Sequence, residues 1–424
     1  MTVLASGEDT LAKHRVDVST RVEVERARPK GFVCMIAYAN YPTDARIRRE
    51  AETLVAHGFH VRCVTNRNGD TAIRRLVSGV EVLEVNVPKY RGKSTLAYMG
   101  SYLLFLLASS IVCIRLALKG EVDVVHAHNL PDFLVFAGLL PRLMGRKVVL
   151  DVHDSVPETF ATKFSQRSWL HTLLCLEERV SARVANRVIC VNHPQRDTLV
   201  SRGIPREKTI ISMNVPDPKI FDSSGPAVLR HSNDDGTFNL VYHGTMAERL
   251  GVDLIIRAVG RLQGRSPDVR LHLWGAGDDH ERFQAIVREL KLEHRVHFRP
   301  EGYPLQELPQ RLKGMHVGVV GNRRSVAGEL MLPVKLLEYV ALGIPAVVPR
   351  LRTIQHYFRD DMVSYYDAGD VESLADSLYR IQCQPDLRRM QAERARGFLD
   401  EYGWEHKGAD FVALYESLVS RVRI

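Results

Sequence analysis

Two series of short apolar runs, separated by helix-like segments, constrain the fold of this 424-residue chain more than any other feature. The first series is GFVCMIAY, HVRCVTN, VEVLEVNV, VDVVHAH, KVVLDVH, RVICVN and KTIISMN, and the second is FNLVYHG, RLHLWG, RVHFRP, VGVVG, AVVP and VSYYD. Strands that alternate with helices in this way are typical of doubly wound parallel sheets. The sequence therefore predicts an α/β protein with two Rossmann-like domains, whose ligands bind beyond the carboxyl ends of the strands.

The division into domains follows from a polar stretch rich in Pro, Gly, Asp and Ser between the two series. We predict a disordered tail over residues 1–30, a first domain over 31–215, a linker over 216–236, a second domain over 237–400 and a closing helical segment over 401–424. A content of 45% hydrophobic residues can fill two such cores. The tail lacks the apolar stretch of an export signal.

The segment SVAGELMLPVKLLEYVALGIPAVVP, residues 325–349, predicts a polar loop, a helix with Pro333 in its first turn, a stop at Gly343 and a buried strand. The start of such a helix exposes unpaired N–H groups and a partial positive charge, which suit a diphosphate. Lys335 adds a full charge there, and Glu338 can accept hydrogen bonds from ribose hydroxyls. The ordinary alternative is a solvated helix face.

These residues resemble the donor-nucleotide signature of the retaining family 4 glycosyltransferases, which move a sugar from a nucleotide diphosphate. In most members two glutamates flank seven residues, and the second corresponds to Glu338. The first would fall on Leu330, but the glutamate here is Glu329, so the chain is more similar to the branch with P-x-K-x-x-E-Y. Further stretches between about residues 32 and 404 follow the family's order. The resemblance implies the GT-B fold, with two domains facing across a cleft and a last helix that returns toward the first domain.

The catalytic prediction concerns DVHDSVPE, which follows the strand KVVL, so that the His153 ring should emerge at the cleft. The resemblance places His153 beside the donor sugar and lets Asp154 position the ring or the acceptor. In the commonly proposed front-face route the leaving diphosphate helps to deprotonate the acceptor, and the protein aligns the reactants and stabilises charge. A histidine bonded to local backbone is the ordinary alternative.

The remaining donor contacts are also implied by the resemblance. The loop GTMAERLG lacks the family's usual arginine and lysine, which leaves Arg249, one place displaced, to supply charge beside Gly244. RPEGYP matches a region that meets the base. The predicted donor-binding residues are Gly244, Arg249, Arg299, Met331, Leu332, Lys335 and Glu338.

On the acceptor side, NYPTDARIRRE replaces the glycine-rich loop of many relatives, and we predict that Asp44, Arg46 and His128 contact the acceptor. His126 and His128 should point the same way from a strand end, a geometry that also fits a metal. Further metal ligands are not evident, and GT-B enzymes generally need none. We therefore expect no metal and no cofactor, with the nucleotide sugar as substrate.

Charge and cysteine content bear on location. Residues 45–147 contain 15 Lys or Arg against 8 Asp or Glu, and KYRGK precedes an uncharged run over 94–114. Together they predict peripheral contact with an anionic membrane. For the run itself a buried helix is favoured over bilayer contact, and a membrane span would split the sheet. The six scattered cysteines indicate reduced cytosol, and nucleic-acid motifs are not seen.

The predicted function is transfer of a hexose-like sugar from a UDP- or GDP-sugar to a glycan, polyprenyl-linked or lipid acceptor, with retention, in polysaccharide or glycoconjugate synthesis. The predicted site of action is the cytoplasm or the inner face of the membrane. A nucleotide-sugar epimerase of the same fold remains an alternative. A non-catalytic nucleotide-sugar binder also stays open, because the first glutamate is missing and GTMAERLG departs from the family's loop.

Overall fold

Each series of apolar runs forms its own sheet in the computed structural model, which describes residues 28–67, 73–90, 92, 94–163, 168–223, 236–266 and 268–420. The predicted tail lies almost wholly outside the described residues, and so does part of the predicted linker. The two domains have the α/β architecture that the alternation of strands and helices predicts.

The first sheet has eight strands in the order β3-β4-β2-β1-β5-β6-β7-β8. Every neighbouring pair is parallel except β3 with β4, which is antiparallel. The sequence analysis missed β3, because its four residues RRLV carry two arginines and too few apolar positions for a strand signal. The strands are β1 (Phe32–Ala37), β2 (His60–Arg67), β3 (Arg74–Val77), β4 (Val80–Pro88), β5 (Val124–His128), β6 (Lys147–Val152), β7 (Arg187–Cys190) and β8 (Thr209–Ile211).

Helices cover both faces of this sheet. The connection from β1 to β2 runs in one direction along the sheet, while those from β4 to β5, β5 to β6 and β6 to β7 run in the other. Because such crossovers are right-handed, the first connection lies on one face and the other three share the opposite face. The helices of this domain are α1 (Ala45–Ala56), α2 (Thr95–Leu118), α3 (Leu139–Leu143), α4 (Val156–Lys163), α5 (Ser168–Val184) and α6 (His193–Ser201).

The second sheet has six parallel strands in the order β11-β10-β9-β12-β13-β14. Its strands are β9 (Phe238–His243), β10 (Val269–Trp274), β11 (Val296–Arg299), β12 (Val317–Val319), β13 (Ala346–Pro349) and β14 (Ser364–Tyr366). The helices that follow α6 are α7 (Val252–Arg261), α8 (His280–Glu289), α9 (Leu308–Leu312), α10 (Val334–Ala341), α11 (Arg352–Tyr357), α12 (Val371–Cys383), α13 (Pro385–Tyr402) and α14 (Trp404–Ser420).

The helix α14 packs on the first domain, although it follows the second domain in the chain. Trp404 Nε1 donates a hydrogen bond to Thr53 Oγ1 on α1 at 3.0 Å, and the Arg49 guanidinium lies 4.4 Å from the Trp404 ring centre. Further along, the Tyr415 hydroxyl lies 2.6 Å from His126 Nδ1 on β5. The last helix therefore forms part of the first domain's core.

Two local expectations need correction. Pro333 lies one place before the first helical residue, and α10 begins at Val334, because the proline takes an extended ψ of 122°. Gly343 does follow the helix end with the positive φ of 66° that glycine tolerates best. The uncharged run 94–114 forms most of α2, but it is not a buried helix. Only a third of the most apolar stretch of this helix is buried. By length and composition alone, residues 96–118 could cross a membrane.

Candidate functional site

A cavity of about 160 Å³ lies between the two domains, beyond the carboxyl ends of the strands β6 and β7. The side chains of the first domain that line it are Arg46, His153, Asp154, Ser155, Thr159, Val191, Gln195 and Asn214. Those of the second domain are Ala327, Leu330, Met331, Leu332, Pro333, Val334 and Leu337. The loop after β6 thus faces the segment that leads into α10, which brings the predicted catalytic residues against two of the predicted donor residues, Met331 and Leu332.

The His153 side chain is 22% exposed and is anchored from behind by a buried carboxylate. Its Nε2 lies 2.9 Å from Asp151 Oδ2, while its Nδ1 has no hydrogen-bond partner among the described residues. Burial disfavours the imidazolium, but the charge and hydrogen bond of Asp151 outweigh that effect and raise the pKa of His153. Asp151 therefore orients and polarises the His153 ring at the cavity wall.

Asn129 fixes the loop that carries His153 and Asp154. Its side-chain oxygen accepts from the backbone N–H of His153 at 2.8 Å and of Asp154 at 3.3 Å. Its amide nitrogen donates to the Asp154 carbonyl and to Asp132 Oδ1, both at 2.7 Å. The sequence analysis did not single out Asn129, although its place directly after the HAH strand end could have indicated it.

Arg46 is 3% exposed and lies between two buried carboxylates. Its guanidinium donates to both oxygens of Asp151 at 2.8 and 3.0 Å, lies 3.2 Å from Glu50 Oε1 and donates to the Ser212 carbonyl at 3.0 Å. Burial alone would raise the pKa of Asp151, but Arg46 and the neighbouring histidines hold it well below its usual range. Arg46 lines the cavity, yet most of its donors serve this network, so its acceptor contact stays a prediction.

His126 and His128 do point the same way from β5, and their rings stack with centres 4.0 Å apart. His128 is 1% exposed and lies behind His153, since its Nδ1 is 3.1 Å from His153 Nε2. Burial and the charge of His126 lower the pKa of His128 well below its ordinary value. The structure therefore makes His128 a neighbour of His153 and places it outside the cavity lining, so its predicted contact with the acceptor would require a rearrangement.

Four side chains of this network have donor atoms within 4.8 Å of one another: Glu50, His126, His128 and Asp151. This is the chemistry of a metal site, but both carboxylates already face the Arg46 guanidinium. A divalent ion would have to displace or repel that buried cation. The donor set thus resembles an internal ion-pair network more closely than an open metal site.

On the second domain, α10 carries a pair of titratable groups, of which Lys335 is half-buried and Glu338 is buried. Lys335 Nζ lies 3.7 Å from the Tyr242 ring centre, and burial, helped by Arg249, lowers the pKa of Lys335 to about 7 against the opposing charge of Glu338. Glu338 is 8% exposed, and burial raises its pKa to about 7 although Lys335 acts to lower it. Its Oε2 lies 3.2 Å from His243 Nε2 at the end of β9. Glu338 is thus buried rather than part of a solvated face.

Gly244 and Arg249 belong to the loop that faces this pair. Gly244 has a φ of 105°, and a methyl group built there would lie 3.7 Å from Lys335 Nζ, so the loop backbone approaches the amine closely. Arg249 is exposed and adds positive charge that lowers the pKa of Lys335. The structure thus brings four of the predicted donor residues together, Gly244, Arg249, Lys335 and Glu338.

Two other predicted site residues, Arg299 and Asp44, have structural partners elsewhere, and so does Glu329, the glutamate that departs from the family pattern. Arg299 stacks on Tyr303 at 4.1 Å and donates to the Gly302 carbonyl at 2.8 Å, which orders the RPEGYP loop. Asp44 accepts from the Ile47 N–H at 3.1 Å as the cap of α1. Glu329 accepts from the Arg352 N–H at 2.5 Å at the start of α11, away from the cavity. Contacts of Arg299 and Asp44 with ligands stay predictions.

Comparison with known protein families agrees with this two-domain arrangement. A family model described as "Glycosyl transferase 4-like domain" matches residues 43–214, and one described as "Glycosyl transferases group 1" matches residues 237–383. Together they cover the residues that line the cavity, the whole second sheet and every strand of the first sheet except β1. This chain belongs to the family 4-like glycosyltransferases.

Individual relatives of this glycosyltransferase are distant. It is 24% identical over 255 residues to the "Phosphatidylinositol N-acetylglucosaminyltransferase gpi3 subunit" of Schizosaccharomyces pombe, covering 60% of this chain and 52% of that protein. It is 29% identical over 175 residues to the "GDP-mannose-dependent alpha-(1-6)-phosphatidylinositol monomannoside mannosyltransferase" of Mycolicibacterium smegmatis, covering 40% of this chain and 45% of that protein. The matches span about half the length of these curated relatives.

Solved structures extend the similarity of fold to nearly the whole glycosyltransferase. A sucrose-phosphate synthase from Thermosynechococcus elongatus superposes with a TM-score of 0.75 at 17% identity, covering 92% of this chain and 99% of that one. The predicted GT-B fold is confirmed, with two Rossmann-like domains that face each other across a cleft.

Proposed function

We propose that this glycosyltransferase moves a hexose-like sugar from a UDP- or GDP-sugar to a hydroxyl of a lipid or glycan acceptor, with retention of anomeric configuration. One observation carries the proposal: one interdomain cavity has His153 on one side and the residues that lead into α10 on the other. A sugar in that cavity would have its diphosphate toward α10 and its reacting carbon toward the first domain.

The donor nucleotide would be held by the second domain. The diphosphate would lie between the start of α10 and the loop at Gly244, where Lys335 and Arg249 supply positive charge. The ribose hydroxyls would donate to Glu338, which becomes fully ionised when it accepts those hydrogen bonds. Arg299 and its loop would lie beside the base.

The chemistry that fits this arrangement is a front-face displacement. The bond between the anomeric carbon and the diphosphate oxygen breaks, the acceptor oxygen bonds to the same face of that carbon, and the acceptor proton passes to the leaving diphosphate. His153, whose pKa is raised by Asp151 despite its burial, would stabilise charge at the sugar, and Asp154 would orient the acceptor. No protein nucleophile is needed.

The acceptor would be carried by a membrane, on its cytoplasmic face. Two of the relatives are named for phosphatidylinositol-based acceptors, and the described structure presents a long apolar helix, α2, on the same domain as His153. The six cysteines are free thiols, as a reducing compartment would allow. A role in glycoconjugate or polysaccharide synthesis follows.

We also propose that transfer needs no metal, because the Arg46 guanidinium already pairs with Asp151 and lies 3.2 Å from Glu50 behind His153. The nucleotide sugar is then a substrate with no separate cofactor. Transfer should survive excess EDTA, whereas loss of activity with rescue by a divalent ion would assign the cluster of Glu50, His126, His128 and Asp151 to a metal.

The test of the function has two stages. A thermal-shift panel of UDP- and GDP-sugars identifies the donor, because a ligand at 100 times its dissociation constant stabilises a protein by about 2.7 kcal/mol. Transfer to lipid and glycan acceptors is then followed by NMR of the anomeric proton. A product of inverted configuration would refute retention. Epimerised donor without any acceptor would identify an epimerase, and binding without turnover would identify a silent binder.

A further inference from the structure

The outer surface of the helices α2, α3 and α5 forms one continuous layer on the first domain. The connections that contain these helices run in the same direction along the sheet and so lie on the same face. α2 and α5 both pack against the 3-10 segment Asp132–Gly138, which leads into α3. We call this outer surface the α2–α3–α5 face.

The α2–α3–α5 face is apolar, although these helices also bury other apolar side chains against the sheet. Phe105, Cys113 and Ala117 of α2 are buried against the sheet, as is Ala182 of α5. An ordinary surface helix turns a polar side to water. Here the exposed large apolar side chains are Leu96, Met99, Leu103, Leu104, Leu107, Ile111 and Leu118 on α2, Leu139, Leu140, Leu143 and Met144 at α3, and Trp169, Leu173, Leu176 and Val180 on α5.

These side chains recur at helical spacing rather than singly. On α5, Trp169, Leu173, Leu176 and Val180 follow one another by four, three and four residues, which places them on one stripe. Leu107 is 61% exposed and Leu176 is 50% exposed, so neither contributes much to the core. A contiguous exposed apolar patch of this kind marks an interaction surface.

A group of cations borders the α2–α3–α5 face where α5 ends. Arg142 donates to the Arg183 carbonyl at 2.9 Å, and Lys208 Nζ lies 3.0 Å from the Ala185 carbonyl. Burial lowers the pKa of Lys208, and the charges of Arg142, Arg187 and Arg183 lower it further, while Glu207 acts in the opposite sense. Within the described ranges, no carboxylate forms an ion pair with any of these four cations.

The charge selects the occupant. A second copy could cover the apolar side chains, but by symmetry it would add a second group of cations to the same interface. An anionic bilayer offers acyl chains to the apolar side chains and phosphates to the cations at the border. Because the inner side of α2 packs on the sheet, the helix fits the plane of the interface rather than a membrane span.

We propose that the α2–α3–α5 face seats this protein on an anionic lipid bilayer, with α2 and α5 lying in the plane of the headgroups and Arg142, Arg183, Arg187 and Lys208 contacting lipid phosphates. The inference deepens the proposed membrane-side function and rests on it for its biological meaning. Tyr98 and Tyr102 of α2 pack against Tyr38, which directly follows β1 at the cleft edge of the sheet. An acceptor embedded in the bilayer would therefore reach the cleft from the side.

The test is flotation of the full chain with phosphatidylcholine vesicles, with and without phosphatidylglycerol, in the absence of nucleotide and acceptor. Two variants alter the face: Leu107→Asp with Leu176→Asp, and Arg183→Glu. Lys313→Glu, at an exposed site on the second domain, changes the net charge by the same amount as either and serves as the control. Melting curves confirm that each variant is folded.

We expect the native protein and Lys313→Glu to float with phosphatidylglycerol vesicles, and both face variants to bind at least tenfold more weakly. Added salt should weaken native binding, since the cations contribute. Native protein that floats with neither kind of vesicle, or face variants that bind as the native protein does, would overturn the proposal. So would a dimer in solution that the paired aspartates dissociate, because the face would then join two copies. Failure here with intact transfer to a soluble acceptor would leave the proposed reaction standing.

Discussion

Replacement of Lys335 by methionine should remove the pH dependence of nucleotide binding. The free amine has a pKa of about 7, lowered by its burial beside Tyr242, so above pH 7 it is mostly neutral. A bound diphosphate favours the ammonium. Binding must then take up a proton, and the affinity should fall as the pH rises through 7.

The magnitude follows from this pKa. If the complex keeps Lys335 charged up to pH 9, the dissociation constant of UDP or GDP should increase about 50-fold between pH 7 and pH 9. Each pH unit above the pKa of the unliganded amine weakens binding by about tenfold. Glu338, with a pKa also of about 7, is already ionised over most of this window, so it adds little. In Lys335→Met the curve should be nearly flat. A lost charge-assisted hydrogen bond, about 1.5 to 3 kcal/mol, also makes binding about 10- to 150-fold weaker at pH 7.

Isothermal titration calorimetry in two buffers of different ionisation enthalpy measures both the affinity and the proton uptake. Glu338→Gln is the matched control, because it keeps the amine but removes the carboxylate that raises the pKa of Lys335. Its affinity should start to fall at a lower pH. A native protein whose affinity is constant from pH 7 to pH 9, or a Lys335→Met variant with the native slope, would refute the assignment of Lys335 to the diphosphate.

Three further substitutions test the rest of the site. Glu338→Ala should cut transfer at least tenfold and weaken nucleotide binding, because a charged hydrogen bond of about 1.5 to 3 kcal/mol is lost. Unchanged affinity and rate would refute the contact between Glu338 and the ribose. His153→Ala should lower the turnover number strongly while nucleotide affinity and melting temperature stay nearly native. If His153 were only structural, its replacement would reduce activity only in proportion to the loss of folded protein. Asp151→Asn should cost about 3 to 5 kcal/mol of unfolding free energy, read from urea denaturation, because Arg46 loses a buried partner. It should also move the high-pH loss of turnover to lower pH, since Asp151 raises the pKa of His153; an unshifted profile would contradict that link.

The sequence predicted most of the fold because most of its central strands are apolar and largely buried. β5 and β9, for example, are buried at every residue, and such runs are distinct from the helices between them. The strand β3 was not predicted, because an edge strand with one neighbour can be short and charged. The apolar run in α2 was assigned to the wrong environment for a different reason. An uncharged helix fits a protein core and a lipid surface equally well, so its sequence cannot distinguish them.

Only those site residues were predictable whose position follows from the local sequence, such as the end of a strand or the start of a helix. His153 follows a strand end and Lys335 lies in the first turn of a helix; the structure places His153 at the cavity and Lys335 next to Val334, which lines the same cavity. The partners of these residues were not visible. Asp151 pairs with Arg46 across 105 positions, and Asn129 holds the His153 loop from 24 positions away. Such contacts depend on which strands are neighbours, which no local pattern encodes.

The return of α14 to the first domain has a consequence for synthesis on the ribosome. The first sheet is complete at Ile211, but Tyr415, which bonds to His126 in its core, is translated about 200 residues later. At about 5 to 20 residues per second this interval lasts on the order of 10 to 40 s. Throughout it, the side of α1 and β5 that Trp404, Phe411 and Tyr415 later cover is open to water and to other chains. The nascent first domain is therefore a natural client for chaperones until the second domain has been made.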